Sequence, residues 1–198
     1  PNKKQLRDFE REERRERRLS KTLLQDIKNF PKKAHPMDVA RTAVSIMGLE
    51  DKETKDNSAK ANMRKIMRIF AKTPVALAAF YRSRKGKKII SPKNNLSFSE
   101  NFFYMCFGKV PNEDIVKAFD VSLILYAEHS FNVSTFTART ITSSLSDIHG
   151  AITGAIASLK GPLHGGANEE VMHMMNKIKK PENALKWINK ALDNKDVV

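Results

Sequence analysis

Gly161-Pro162-Leu163-His164-Gly165-Gly166-Ala167-Asn168-Glu169 is the stretch on which the reading of this chain turns. A Gly-Pro entry stops one helical pattern, and two glycines let backbone and ligand approach closely before the next pattern begins. The histidine between them is therefore held in a sharp turn between helices. Behind it, Ile141, Leu145, Ile148, Ile152 and Leu159 recur at helical spacing, which predicts helix over 134–160. Gly150, Ala151, Gly154 and Ala155 give that helix a face small enough for another helix to pack closely. Ahead of the turn, 169–179 and 181–194 read as helices, the latter anchored by Leu185, Trp187, Ile188 and Leu192.

Working back toward the start, the same period persists. Leu19, Leu23, Leu24 and Ile27 fall three and four apart until Pro31 ends the pattern. His35-Pro36 opens a helix over 38–49, where His35 reads as a structural residue, and the polar run 50–58 is a loop. The pattern over 59–81 contains Pro74, which predicts two helices or a kink there. Short helices follow at 101–107 and from Pro111-Asn112-Glu113-Asp114, and 115–128 is apolar almost all round, which predicts a buried helix. No alternating β-branched run is long enough for a sheet. The fold class is all-α.

Hydrophobic residues make up 40% of the 198, enough for a packed core, and a single cysteine, Cys106, excludes a disulfide framework within the chain. Its Met105-Cys106-Phe107 setting reads as a buried structural thiol. No apolar run approaches the roughly 18–20 residues that span a bilayer, so no membrane partner is expected. No cysteine/histidine spacing suits a metal. The net charge of +14 raises the question of nucleic acid. Residues 7–18 carry six arginines against five acids, and pairs such as Glu10/Arg14 and Glu13/Arg17 stand four apart with the acid first, the order of a solvated surface helix. The excess lies in 60–93, where eleven lysines and arginines occur without one acid, the loop set being Arg82, Arg84, Lys85, Lys87 and Lys88. A polyanion could bind there.

Two further blocks join the His164 turn. They are Lys33-Ala34-His35-Pro36-Met37-Asp38, continuing to Arg41-Thr42-Ala43-Val44-Ser45, and Ala127-Glu128-His129-Ser130-Phe131-Asn132-Val133-Ser134-Thr135-Phe136-Thr137. In their wording and order the three resemble the citrate synthase family, over nearly the whole chain. The resemblance implies a citrate synthase-like helical fold, with 1–163 forming part of a large, dimer-forming domain and 164–198 beginning a small acyl-CoA-binding domain. It implies an acyltransferase that condenses acetyl-CoA or propionyl-CoA with oxaloacetate, giving citrate or 2-methylcitrate and free CoA. The coenzyme A thioester is then a cosubstrate and no cofactor is permanently bound. By the same resemblance His164 is the catalytic residue, donating a hydrogen bond to the enolate oxygen. His129 and Asn132 bind the 2-oxo acid, and Leu163, Gly165 and Gly166 face the thioester. The 60–93 cations then read either as a solvated basic face or as a docking face for the phosphates of coenzyme A, rather than for nucleic acid.

The Glu-His-Ser-Phe-Asn wording around His129 resembles the 2-methylcitrate synthases of the family more than its citrate synthases. In the family a Gly-Phe-Gly-His-Arg segment with a further catalytic histidine, then a catalytic aspartate, follow the His164 turn, so both are expected beyond Val198. The 198 residues alone are expected to be inactive, homodimeric in the complete protein, and cytoplasmic, or in the mitochondrial matrix if eukaryotic. The alternatives are a noncatalytic helical interaction fragment and a basic nucleic-acid-binding helical module.

Overall fold

The computed structural model describes residues 1–128 and 130–194. Its described residues form ten α-helices and one 3-10 turn and no strand. They cluster into two compact units, Pro1–Ser158 and Leu159–Val198.

In the first unit the central element is α4 (Ala59–Arg84), against which α1 (Lys3–Glu16), α2 (Lys21–Asn29), α3 (Pro36–Glu50) and α5 (Phe98–Phe107) all pack. Leu23, Ile27, Val39, Ala43, Met47, Val75, Ala76, Ala79, Phe80, Met105 and Cys106 form the core they share. Each start is set by a local polar group. Asn2 and Gln5 form a capping box at α1, Ser20 caps α2, Ser58 caps α4, and Ser97 with Glu100 forms a second capping box at α5. His35 caps α3 by accepting the Met37 N–H through Nδ1 at 3.2 Å, in keeping with its structural reading. Gly108, at φ 82°, ends α5 in the left-handed region, where a side chain would be strained.

Three expectations fail here for identifiable reasons. Of the two outcomes expected at Pro74, the break does not occur; α4 is one element of 26 residues, because the turn after the proline buries Val75, Ala76, Ala78, Ala79 and Phe80. That burial outweighs one missing backbone bond. Glu13 and Arg17 are not a solvated pair: their side chains are 5% and 1% exposed, with two 2.7 Å contacts. Arg17 also donates to the carbonyls of Lys93 (2.7 Å) and Leu96 (3.0 Å), so one guanidinium bolts α1 to the segment before α5. Nor is the first part of the 60–93 stretch uncompensated. Arg64 pairs with Glu53, Arg68 with Asp51 (2.8 Å) and Glu53 (2.7 Å), and buried Lys65 donates to the Asp56 carbonyl at 2.6 Å. The acids that balance these cations lie just ahead of them in the loop.

After α5 the chain continues through α6 (Glu113–Leu125), α7 (Val133–Ser143) and α8 (Ile148–Leu159). Helix α6 was expected to be buried, yet none of its residues is. Phe119 packs on Phe102 and Phe103 of α5, at centroid distances of 5.7 and 5.1 Å, while Ile124, Leu125 and Tyr126 are exposed. An apolar surface on every side needs a cover that these residues do not supply. The continuous helix expected over 134–160 is broken at 144–147, where Leu145 takes φ 63° and is exposed rather than packed. Asp147 restarts the chain as α8 by accepting the N–H groups of His149 (2.9 Å) and Gly150 (3.0 Å). Part of the small-residue face is filled from within, since a Cβ at Gly154 would collide with Ile141 of α7.

The second unit contains α9 (Gly166–Ile178), a 3-10 turn (Pro181–Asn183) and α10 (Ala184–Asp193). Lys179 ends α9 at φ 66°. Of α10, only Ala191 is buried; Leu185, Ile188 and Leu192, expected as anchors, are exposed.

Candidate active site

His129 lies outside the described residues. Asn132 does not, and it has a definite local job. It is the N-cap of α7: its Oδ1 accepts the Thr135 N–H at 2.9 Å and the Ser134 hydroxyl. That oxygen is committed to the helix start, which leaves the amide N–H₂ to meet a ligand. Around Asn132 is a hollow of about 480 Å³ lined also by Glu128, Ser130, Phe131, Phe136 and Arg139. Arg139 was missed in the sequence. The signal was there: it stands seven residues after Asn132, two helical turns on, and so returns to the same side of α7. An exposed guanidinium beside an amide suits a carboxylate-bearing ligand.

His164 lies in the second unit, in a turn held by backbone hydrogen bonds. The Gly161 carbonyl accepts the N–H groups of His164 (2.9 Å) and Gly166 (3.1 Å), and the His164 carbonyl accepts that of Ala167 (3.2 Å) at the start of α9. The side-chain positions that the neighbouring glycines leave empty face the turn's own backbone. A Cβ on Gly165 would lie 2.5 Å from the Leu159 carbonyl oxygen, and one on Gly166 would lie 2.9 Å from that of Gly161. Both are required to close the turn. Leu163 projects fully into solvent.

Two other groups bear on chemistry. Burial pushes the Cys106 thiol up to about 11 against a smaller opposing pull from Arg82, so it is a poor nucleophile. Among the described residues no cluster of three His, Cys, Asp or Glu side chains could hold a metal ion, and no helix is long and apolar enough to cross a membrane.

The described residues are thus all-α, with an amide-and-arginine hollow in one unit and a glycine-locked histidine turn in the other. The family model described as citrate synthase, C-terminal domain, matches residues 1–198. The chain belongs to the citrate synthase family. It is 47% identical over 198 residues to 2-methylcitrate synthase of Mycobacterium tuberculosis, covering 100% of this chain and 50% of that protein. It is also 47% identical over 194 residues to a citrate synthase of Mycolicibacterium smegmatis, covering 98% and 52%. Among solved structures it is similar to citrate synthase of Thermoplasma acidophilum in its ternary complex with carboxymethyl coenzyme A and oxaloacetate, at a TM-score of 0.87 and 28% identity, covering 98% of this chain and 51% of that one. The chain thus spans about half the length of the relatives it matches.

Proposed function

We propose that this chain supplies the 2-oxo acid side and the enolate-stabilising histidine of an enzyme that condenses propionyl-CoA, or acetyl-CoA, with oxaloacetate. The observation that carries the proposal is the His164 turn, closed by its own backbone within a chain that matches the family throughout. In the reaction a base takes a proton from the α-carbon of the thioester, and the charge gathers on the thioester oxygen. A hydrogen bond from His164 stabilises that oxygen as the charge develops. The α-carbon then attacks the keto carbon of oxaloacetate, and water cleaves the thioester to release CoA. Asn132, Arg139 and His129 hold the two carboxylates and the keto group, while Leu163 and the glycine turn lie along the thioester. No part of this requires a resident cofactor.

The base that takes this proton is not assigned among these residues. In the complete enzyme 1–163 belong to a large domain and 164–198 to a small one. The enzyme works as a homodimer, with the exposed apolar surface of α6 among the candidates for cover, wherever acyl-CoA is made. The 2-methylcitrate reading rests on the Glu128–Asn132 wording and on relatives of that name. In the full-length enzyme, His164→Ala should lower kcat by about 10²–10³ while leaving oxaloacetate binding nearly intact, because the lost bond acts on developing charge. Release of CoA, followed with a thiol reagent, reads this out, and the reverse pattern would refute the assignment. Run with both thioesters, the same assay fixes the acyl group, since one methylene is worth about 1–3 kcal/mol, roughly 10–200-fold.

A further inference from the structure

His149 is the second residue of α8 and is buried, 2% exposed. Its ring rests on α3 where that helix carries Gly48; a Cβ at Gly48 would stand 2.9 Å from the His149 Cβ. Carboxylates flank the imidazole without bonding it. Asp51 Oδ2 lies 3.6 Å from Nε2 and Asp147 Oδ1 lies 3.7 Å from Nδ1. Both are engaged elsewhere. Asp51 accepts two bonds from Arg68 and the Glu53 N–H, and Asp147 Oδ1 accepts the first N–H groups of α8. Nδ1 has no hydrogen-bond partner among the described residues.

The other charges near the ring do not change this balance. Helix α4 presents Lys65 and Arg68, both cationic and both acting against a proton here. Glu50, Lys52, Glu53 and Lys72 line the adjoining hollow of about 360 Å³. The N-terminal end of α8 adds its own positive potential. Burial above all, only partly countered by Asp51 and Asp147, therefore holds the imidazole below its ordinary value of 6.5.

We propose that His149 is an acid-sensitive latch: when neutral it seats the first turn of α8 on Gly48 of α3, and when protonated it must leave that seat for the adjoining hollow. The unfolded chain binds this proton below pH 6.5 and the folded seat resists it. The latch is thus closed above that pH and weakens as pH falls through the interval beneath it. Helix α8 continues to Leu159, just ahead of the His164 turn. The inference does not depend on the proposed reaction.

The test uses the full-length protein with ring-labelled histidine, titrated from pH 7.5 to 5.0, with hydrogen exchange of 148–159 corrected for the intrinsic rate. The His149 resonance should titrate below 6.5, and the opening constant of α8 should rise toward the one-proton limit of about tenfold per pH unit. In His149→Phe that rise should vanish. A resonance that titrates at or above 6.5 would overturn the latch, as would the same pH-dependent opening in His149→Phe. If that variant fails to fold, the resonance and exchange of the unaltered protein decide alone.

Discussion

Removing one partner of the Glu13–Arg17 pair should cost far more than any other change on α1. In Glu13→Leu the guanidinium stays buried but keeps its two carbonyl acceptors, Lys93 and Leu96. Breaking a buried pair from one side costs about 3–5 kcal/mol. Arg17→Leu leaves the Glu13 carboxylate without its cation and strips both carbonyls of a donor, adding about 1–3 kcal/mol for each group left unsatisfied. The order of loss is therefore Arg17→Leu, then Glu13→Leu, then exposed pairs such as Asp8–Arg11, where about 0–1 kcal/mol is at stake. Urea unfolding of the full-length protein, followed by circular dichroism at constant m-value, measures it. Losses below about 1 kcal/mol for both core variants, or the opposite order, would show that the pair is solvated after all and that the bolt between α1 and the segment before α5 is not a stabilising feature.

Gly165→Ala should distort the His164 turn and reduce kcat without unfolding the helices, since its Cβ meets the Leu159 carbonyl at 2.5 Å; wild-type turnover with an unchanged far-ultraviolet spectrum would contradict this. Cys106, with its thiol pushed up to about 11, should react with a disulfide reagent at pH 8 only after denaturant is added. Hydrogen bonds from Arg64 and then Arg68 hold the Glu53 carboxyl at about 2, below its ordinary 4.5, so what it contributes is present above pH 4.5 and lost as pH falls toward 2. Glu53→Gln should flatten that part of the acid-unfolding profile, and an unchanged profile would assign acid sensitivity elsewhere.

The helical class was legible because three- and four-residue spacing survives in almost every segment, and the punctuation at Pro31 and His35-Pro36 is local. What failed was what depends on distant residues. Nothing near Glu13 and Arg17 announces that residues 76 and 79 positions on will bury the pair. Pro74 is a local break signal overruled by apolar burial in the following turn. The charge of 60–93 was counted along the chain, whereas Arg64 and Arg68 find their partners across one loop at Asp51 and Glu53. The restart of α8 was readable in Ser146-Asp147, a capping dipeptide hidden by the apolar period around it. At the candidate site, the glycine turn was found by composition and family wording, but the backbone its missing side chains face was not legible. Whether a missing Cβ faces a ligand or a carbonyl depends on how the turn closes.

The ion pairs of the α3–α4 hairpin also bear on the order in which the chain folds. Arg64 and Arg68 reach back only 11 to 17 residues, and Lys65 only 9 to 11, so the hairpin closes short loops at small entropic cost. Arg17 must wait for carbonyls 76 and 79 residues away. The same kind of side chain therefore serves two stages. Substitution of Arg68 should slow folding, with a φ-value toward one, whereas substitution of Arg17 should mainly speed unfolding; equal φ-values at the two positions would erase the distinction.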